Sequence, residues 1–186
     1  SLSPEIIGKT VEESEDLTDV VFMMCTSGTT GIPKAAMLTG GNVLSNLLDI
    51  EQYFPLSRTD RILINRSLCH AAVLTGEFLA GLSRGTEIVF NKTEFNPMRT
   101  LSCIKTYDIT VLCGTPTFFY HFCRFVLRRP KHPTLRIIAV SGECMTERTS
   151  SLICMTLPNV LVYHVYGLTE ASPRVTWLPP NLFKMK

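Results

Sequence analysis

The chain reads as an α/β protein with a doubly wound, mainly parallel sheet and helices on both faces. Three observations predict this. Short continuous apolar runs, bounded by turn residues, recur at 19–25, 35–38, 62–65, 86–90, 109–113, 135–141 and 160–165. Such runs suit strands buried on both faces, as in a parallel sheet. Segments with helical spacing lie between most of them, at about 41–53, 71–82, 97–106, 116–129 and 145–156, and that alternation is the pattern of a doubly wound sheet. Finally, 186 residues with 45% hydrophobic and 18% charged content allow a sizeable core and argue against disorder.

Taken in order, residues 1–16 carry Glu12, Glu13, Glu15 and Asp16 among weakly patterned positions and predict a flexible lead-in. Residues 17–59 hold two strands and a helix, too few for a complete sheet, and are expected to be part of a subdomain. The polar punctuation Pro55-Leu56-Ser57-Arg58-Thr59-Asp60 marks a boundary. Residues 60–186 carry the remaining strands and are expected to form an α/β subdomain with its own sheet. Pro97 and Pro116 suit first helical turns, where a missing N–H costs nothing. The rings of Phe118, Phe119, Tyr120, Phe122 and Phe125 fall at helical spacing and are assigned mostly to the core.

Charge and cysteine usage exclude several classes. A net charge of +2 is too small to imply nucleic acid or an acidic membrane surface. The one basic run, Arg128, Arg129 and Lys131, reads as a solvated helix end. Seven cysteines include no CxxC pair and no His/Cys ligand spacing, so no zinc site is expected, and reduced thiols in a cytoplasmic protein are. No stretch approaches ~20 uninterrupted apolar residues, so no membrane span is expected, and SLSPEIIGK is no signal peptide.

The chemistry is concentrated in Cys25-Thr26-Ser27-Gly28-Thr29-Thr30-Gly31-Ile32-Pro33-Lys34. An apolar strand runs into a loop of hydroxyls and glycines closed by a lysine. Glycines let backbone N–H groups approach an anion, hydroxyls add donors and the ammonium adds charge, so the loop suits a polyphosphate. It is not a Walker A loop: Gly28 and Gly31 are separated by two residues and Ala35 follows Lys34, against the spacing that loop requires. A second string, Tyr166-Gly167-Leu168-Thr169-Glu170, follows the apolar run 160–165. Tyr166 offers a flat face for a purine, Thr169 a donor for a phosphate, and Glu170 a carboxylate for Mg²⁺.

Together the two strings resemble the signature of the adenylate-forming ligases, which include acyl-CoA synthetases, peptide-synthetase adenylation domains and luciferases. The resemblance covers about residues 17–180. It implies ATP-dependent activation of a small-molecule carboxylic acid as acyl-adenylate, with pyrophosphate released and the acyl group passed to coenzyme A or a carrier-protein phosphopantetheine. It implies that Thr26, Ser27, Gly28, Thr29, Thr30, Gly31 and Lys34 hold the β- and γ-phosphates. Tyr166 and Gly167 would flank the adenine, Thr169 would donate to the α-phosphate, and Glu170 would bind Mg²⁺. Three further segments match family substrate parts. His70 in Leu68-Cys69-His70 stands where the family has a His, although Cys69 replaces the usual aromatic or His. Gly114 and Thr115 would border the acid, though Thr115-Pro116 also reads as a strand-to-helix turn. Ser141-Gly142-Glu143 resembles the segment lining the adenine and acyl pocket, where Glu143 equally suits an N-cap-side carboxylate complementing the dipole of the next helix.

The family continues beyond Tyr166–Glu170 with a small barrel and a mobile domain bearing a lysine, so the chain is expected to be a central piece of a larger enzyme, inactive alone and inclined to self-associate. An acyl-CoA synthetase is favoured by TSGTTG and Leu112–Phe119. The alternatives are an amino-acid adenylation domain or a non-catalytic nucleotide-binding or scaffold module.

Overall fold

The computed structural model describes residues 16–26, 34–91, 96–127 and 134–183. Among them, β3 (Arg61–Ile64), β4 (Glu87–Phe90), β5 (Val111–Gly114), β6 (Ile137–Ser141), β7 (Leu161–Gly167) and β8 (Arg174–Leu178) form one sheet in the order β4-β3-β5-β6-β7-β8. All neighbours are parallel except β8, which runs antiparallel to β7.

Strand alternation divides the core into two layers. Leu63, Leu112, Ile138 and Val162 point to a cluster with Ile104, Phe119, Phe122 and Ile153, which belong to α4 (Pro97–Thr106), α5 (Pro116–Val126) and α6 (Glu147–Thr156). Their neighbours Ile62, Val111, Ile137 and Tyr163 point the other way, to Ile50, Phe54 and Ala80. That layer is made by α1 (Gly40–Tyr53) and by a continuous helical stretch: α2 (Ala71–Val73), a π-helical turn (Leu74–Leu79) and α3 (Ala80–Ser83). A sheet covered on both faces explains why its central strands read as unbroken apolar runs.

Two strands depart from that expectation. β1 (Val20–Thr26) and β2 (Lys34–Thr39) pair antiparallel in a separate ribbon. Only residues 27–33 separate them, too few for the dozen-residue crossover a parallel pair needs. Met24 and Leu38 face the core with Val43 and Ala71, while Val21, Met23 and Met37 on the outer face are 50%, 72% and 67% exposed. The runs 19–25 and 35–38 are therefore apolar on two faces but covered on one. β8 and the short α7 (Pro180–Phe183) had no counterpart among the predicted elements.

The polar stretch before β3 is stapled to the sheet's lower edge. Asp60, 1% exposed, accepts from Ser57 N and Oγ (2.9 and 2.8 Å), Thr110 Oγ1 (2.7 Å) and Arg136 Nε (2.7 Å). Arg136 also donates to the Pro55 carbonyl. Burial alone would raise the Asp60 carboxyl, but these hydrogen bonds and the Arg136 charge outweigh it and hold it at about 2.

Candidate functional site

Ligands of open α/β sheets sit beyond the carboxyl ends of the strands, and three loops converge there. At the end of β5, Gly114 is glycine for a packing reason: a Cβ would lie 2.6 Å from the Phe118 ring. Thr115 caps α5, its Oγ1 accepting from Phe118 N at 3.2 Å. After β6, Gly142 has φ +93°, which L side chains rarely adopt, and a Cβ there would stand 3.7 Å from the Thr115 methyl. Glu143 accepts from Thr117 N and Oγ1 at 3.2 and 2.6 Å, so its charge complements the first turn of α5, the helix before it in sequence.

The third loop is the β7–β8 hairpin. Tyr166, near the end of β7, is 59% exposed. Gly167 admits no side chain, since a Cβ would meet the Pro173 carbonyl oxygen at 1.9 Å. Thr169–Ala171 form a single 3₁₀ turn, ended by Ser172 at φ 65°. Leu168 N donates to the Pro173 carbonyl at 2.8 Å, closing the loop.

The ribbon packs against this hairpin, β2 lying along the Thr169–Ala171 turn. Lys34 opens β2 opposite Thr26 at the end of β1, where Thr26 Oγ1 lies 3.4 Å from the Lys34 carbonyl. The two stems of the glycine-hydroxyl loop are thus side by side in the ribbon whose β2 contacts the Thr169–Ala171 turn. Ser27, Gly28, Thr29, Thr30 and Gly31 lie outside the described residues. Between α1 and the hairpin is a cavity of about 280 Å³ whose lining includes Asn42, Asn46, Asp49, Glu170 and Ser172.

His70 is exposed at the N-cap of α2, and its carbonyl accepts from Val73 N and Leu74 N. Behind it lies a charged group that the sequence reading did not single out. Glu77, in the π-helical turn, is 1% exposed and ion-paired with Arg66. Burial raises the Glu77 carboxyl, opposed by the charges of Arg66, Arg174 and His70. Arg174 donates to Gly76 O (2.7 Å) and Tyr53 Oη (3.2 Å) and lies over the Phe54 ring. Cys113, at the end of β5, is pushed up to about 12 by burial, with the Glu77 charge adding. Asn46, clamping the Arg174 backbone from α1, was also missed. The signals were there to read. Asn46 falls on the apolar face of α1 with Val43 and Ile50, and Glu77 is the lone carboxylate of an apolar helical run.

Comparison with known proteins follows the same lines. The family described as AMP-binding enzyme matches residues 3–185. A putative acyl-CoA synthetase, YngI of Bacillus subtilis, is 33% identical over 95% of this chain and 34% of its own length. A feruloyl-CoA synthase of Amycolatopsis sp is 31% identical over 86% of this chain and 32% of its own. Among solved structures, the o-succinylbenzoate coenzyme A synthetase MenE of Bacillus subtilis, in complex with ATP and magnesium ion, has TM-score 0.81 at 23% identity. It matches 98% of this chain and 38% of its own. The N-terminal domain of FACL13 from Mycobacterium tuberculosis has TM-score 0.78 at 25% identity, over 93% of this chain and 42% of that one. The chain spans about a third of the length of these curated relatives. With the match running nearly end to end, the chain belongs to the AMP-binding enzyme family.

Proposed function

We propose that the protein carrying this chain activates a carboxylic acid with ATP, forming an acyl-adenylate and pyrophosphate, and then passes the acyl group to a thiol. The observation that carries this reading is the packing of β2, the strand that Lys34 opens, against the Thr169–Ala171 turn, with Tyr166 exposed at the end of the strand before it. Attack of a carboxylate on the α-phosphorus needs positioning and charge neutralisation more than covalent help. Thr26, Ser27, Gly28, Thr29, Thr30, Gly31 and Lys34 are assigned to the β- and γ-phosphates. Thr169 donates to the α-phosphate, Tyr166 stacks on the adenine, and Gly142, Glu143 and Gly167 border the nucleotide. His70 and Thr115 border the acid, while Gly114, where a Cβ would meet the Phe118 ring at 2.6 Å, is assigned to packing.

Magnesium fits the residues present. Glu170 is exposed, enters no ion pair among the described residues, and sits in a turn beside hydroxyl and amide oxygens, the hard donors this ion prefers. When bound, the ion would neutralise phosphate charge. The acyl-CoA relatives favour coenzyme A over a carrier-protein phosphopantetheine as acceptor. A cytoplasmic setting agrees with seven free cysteines, three of them exposed; no helix among the described residues is long and apolar enough to cross a membrane. The outer ribbon face of Val21, Met23 and Met37 favours self-association of the isolated chain, since apolar patches seldom stay open to water; light scattering tests this.

Acid-dependent ATP–pyrophosphate exchange by the full-length protein tests the main reading. Lys34→Ala and Glu170→Gln are each expected to slow exchange by ~10²–10³. Unchanged exchange in both variants removes the assignment.

A further inference from the structure

Arg174 joins the β7–β8 hairpin to the helical layer made by α1 and the π-helical turn. It stands opposite Gly167 in the hairpin register, so these two residues frame the turn that carries Thr169 and Glu170. Three backbone hydrogen bonds shape that turn: Ala171 N to Leu168 O, Ser172 N to Thr169 O and Leu168 N to Pro173 O. All three run within residues 168–173, so they give the turn its form without fixing it to the rest of the molecule. Burial does little for it either, since none of Thr169, Glu170 and Ala171 is buried. β2 lies along one side of it. The other connection runs through its framing residue.

Arg174 is attached at both of its ends. Its backbone N–H and carbonyl are bonded to Asn46 on α1. Its Nη1 donates to Tyr53 Oη at 3.2 Å and its Nη2 to Gly76 O at 2.7 Å, while the guanidinium lies 4.7 Å from the centre of the Phe54 ring. Two acceptors on different elements and an aromatic face are what the planar fork of arginine can satisfy together, and a lysine cannot. Its charge also favours the ionised form of buried Glu77, the residue after Gly76. Gly76 leaves the space for this arrangement, because a Cβ there would stand 2.8 Å from Arg174 Nε. Resting on the adenylation reading above, we propose that Arg174 is a positioning residue for adenylation, which acts through Glu170 and Thr169 by fixing their turn to α1 and the π-helical turn.

The test is ATP–pyrophosphate exchange by the full-length protein, with the acid it turns over best. Misplacing reacting groups by about 1 Å can cost ~10² in rate, so Arg174→Met should lower kcat by ~10–10² and leave the KM for the acid within about twofold. Residues that act through one another are not additive: in a Glu170→Gln background the same change should cost less than about threefold. A purely structural role predicts equal losses in both backgrounds. Gly76→Ala serves if Arg174→Met does not fold. It pushes the guanidinium aside while alanine suits a helix better than glycine, so exchange should fall with no drop in melting temperature. Exchange like that of the unmodified protein in Arg174→Met, or in Gly76→Ala, overturns the proposal while leaving adenylation standing. Equal losses in the two backgrounds, or a loss that appears mainly in the KM for the acid, also overturn it. No exchange by the unmodified protein with any acid overturns the adenylation reading itself, and this proposal with it.

Discussion

Asn46 on α1 grips the backbone of Arg174 on β8 from both sides, its Nδ2 donating to the Arg174 carbonyl at 2.8 Å and its Oδ1 accepting from the Arg174 N–H at 3.3 Å. α1 follows directly on the ribbon that carries Lys34, and Arg174 ends the hairpin that carries Thr169 and Glu170. One side chain therefore ties α1, and the ribbon that leads into it, to the hairpin. Asn46→Ala leaves two backbone groups without partners and should cost ~2 kcal/mol, a fall of about 4–8 °C in melting temperature. Amide exchange at residues 168–175 should rise more than at β5 and β6. A uniform rise would show that Asn46 is only a core residue.

Gly114 is expected to act through packing. A Cβ there meets the Phe118 ring at 2.6 Å, and Phe118 belongs to the core between α5 and the sheet. Gly114→Leu should destabilise by about 1–3 kcal/mol and slow exchange with every acid alike. A changed acid preference with an unaltered melting temperature would return Gly114 to the substrate wall.

Asp60 should give the chain an acid limit. Its carboxyl titrates at about 2 when folded against 3.8 ordinarily. The lowered value means that its contribution is complete above the ordinary carboxylate range and is lost as pH falls from 3.8 towards 2. Asp60→Asn should cost about 2 kcal/mol at pH 7, below the ~3–5 kcal/mol of a fully buried pair because Arg136 keeps 40% exposure. Urea midpoints of the two proteins should converge as pH falls through that window. A gap independent of pH would mean that the ionised carboxylate is not what matters.

Tyr166 separates ring from hydroxyl. Its side chain is exposed at the end of β7, so Tyr166→Phe should leave the KM for ATP nearly unchanged. Tyr166→Ala should raise it by about tenfold or more, the loss expected for one base-stacking contact. Equal effects would count against stacking.

The central strands were legible because burial on both faces leaves a continuous apolar run, as in Ile62–Ile64 and Ile137–Val140. Pairing direction was less so. Apolar strands at 19–25 and 35–38 look the same whether parallel or not, and only the short interval between them favours the antiparallel ribbon. β8 escaped because Arg174–Leu178 is half-exposed, has a charged first residue, and is a strand by virtue of its hairpin with β7. At the site, the two signature strings carry their own chemistry in order. Asn46, Arg66 and Glu77 do not, because their roles depend on partners such as Arg174, which lies 128 residues from Asn46.

That interval bears on how the protein reaches its native state. β3, β5, β6 and β7 join neighbours a few tens of residues apart, so the sheet can form from short loops. Clamping α1 onto β8 closes a far longer one, and distant contacts are slow to form because their loop entropy is lost before they are rewarded. In refolding followed by pulsed amide exchange, protection of the central strands should come first and protection at Arg174 last. The meeting of α1 with the hairpin that carries Glu170 would then be the final part of the chain to assemble, and the first to loosen when stability falls.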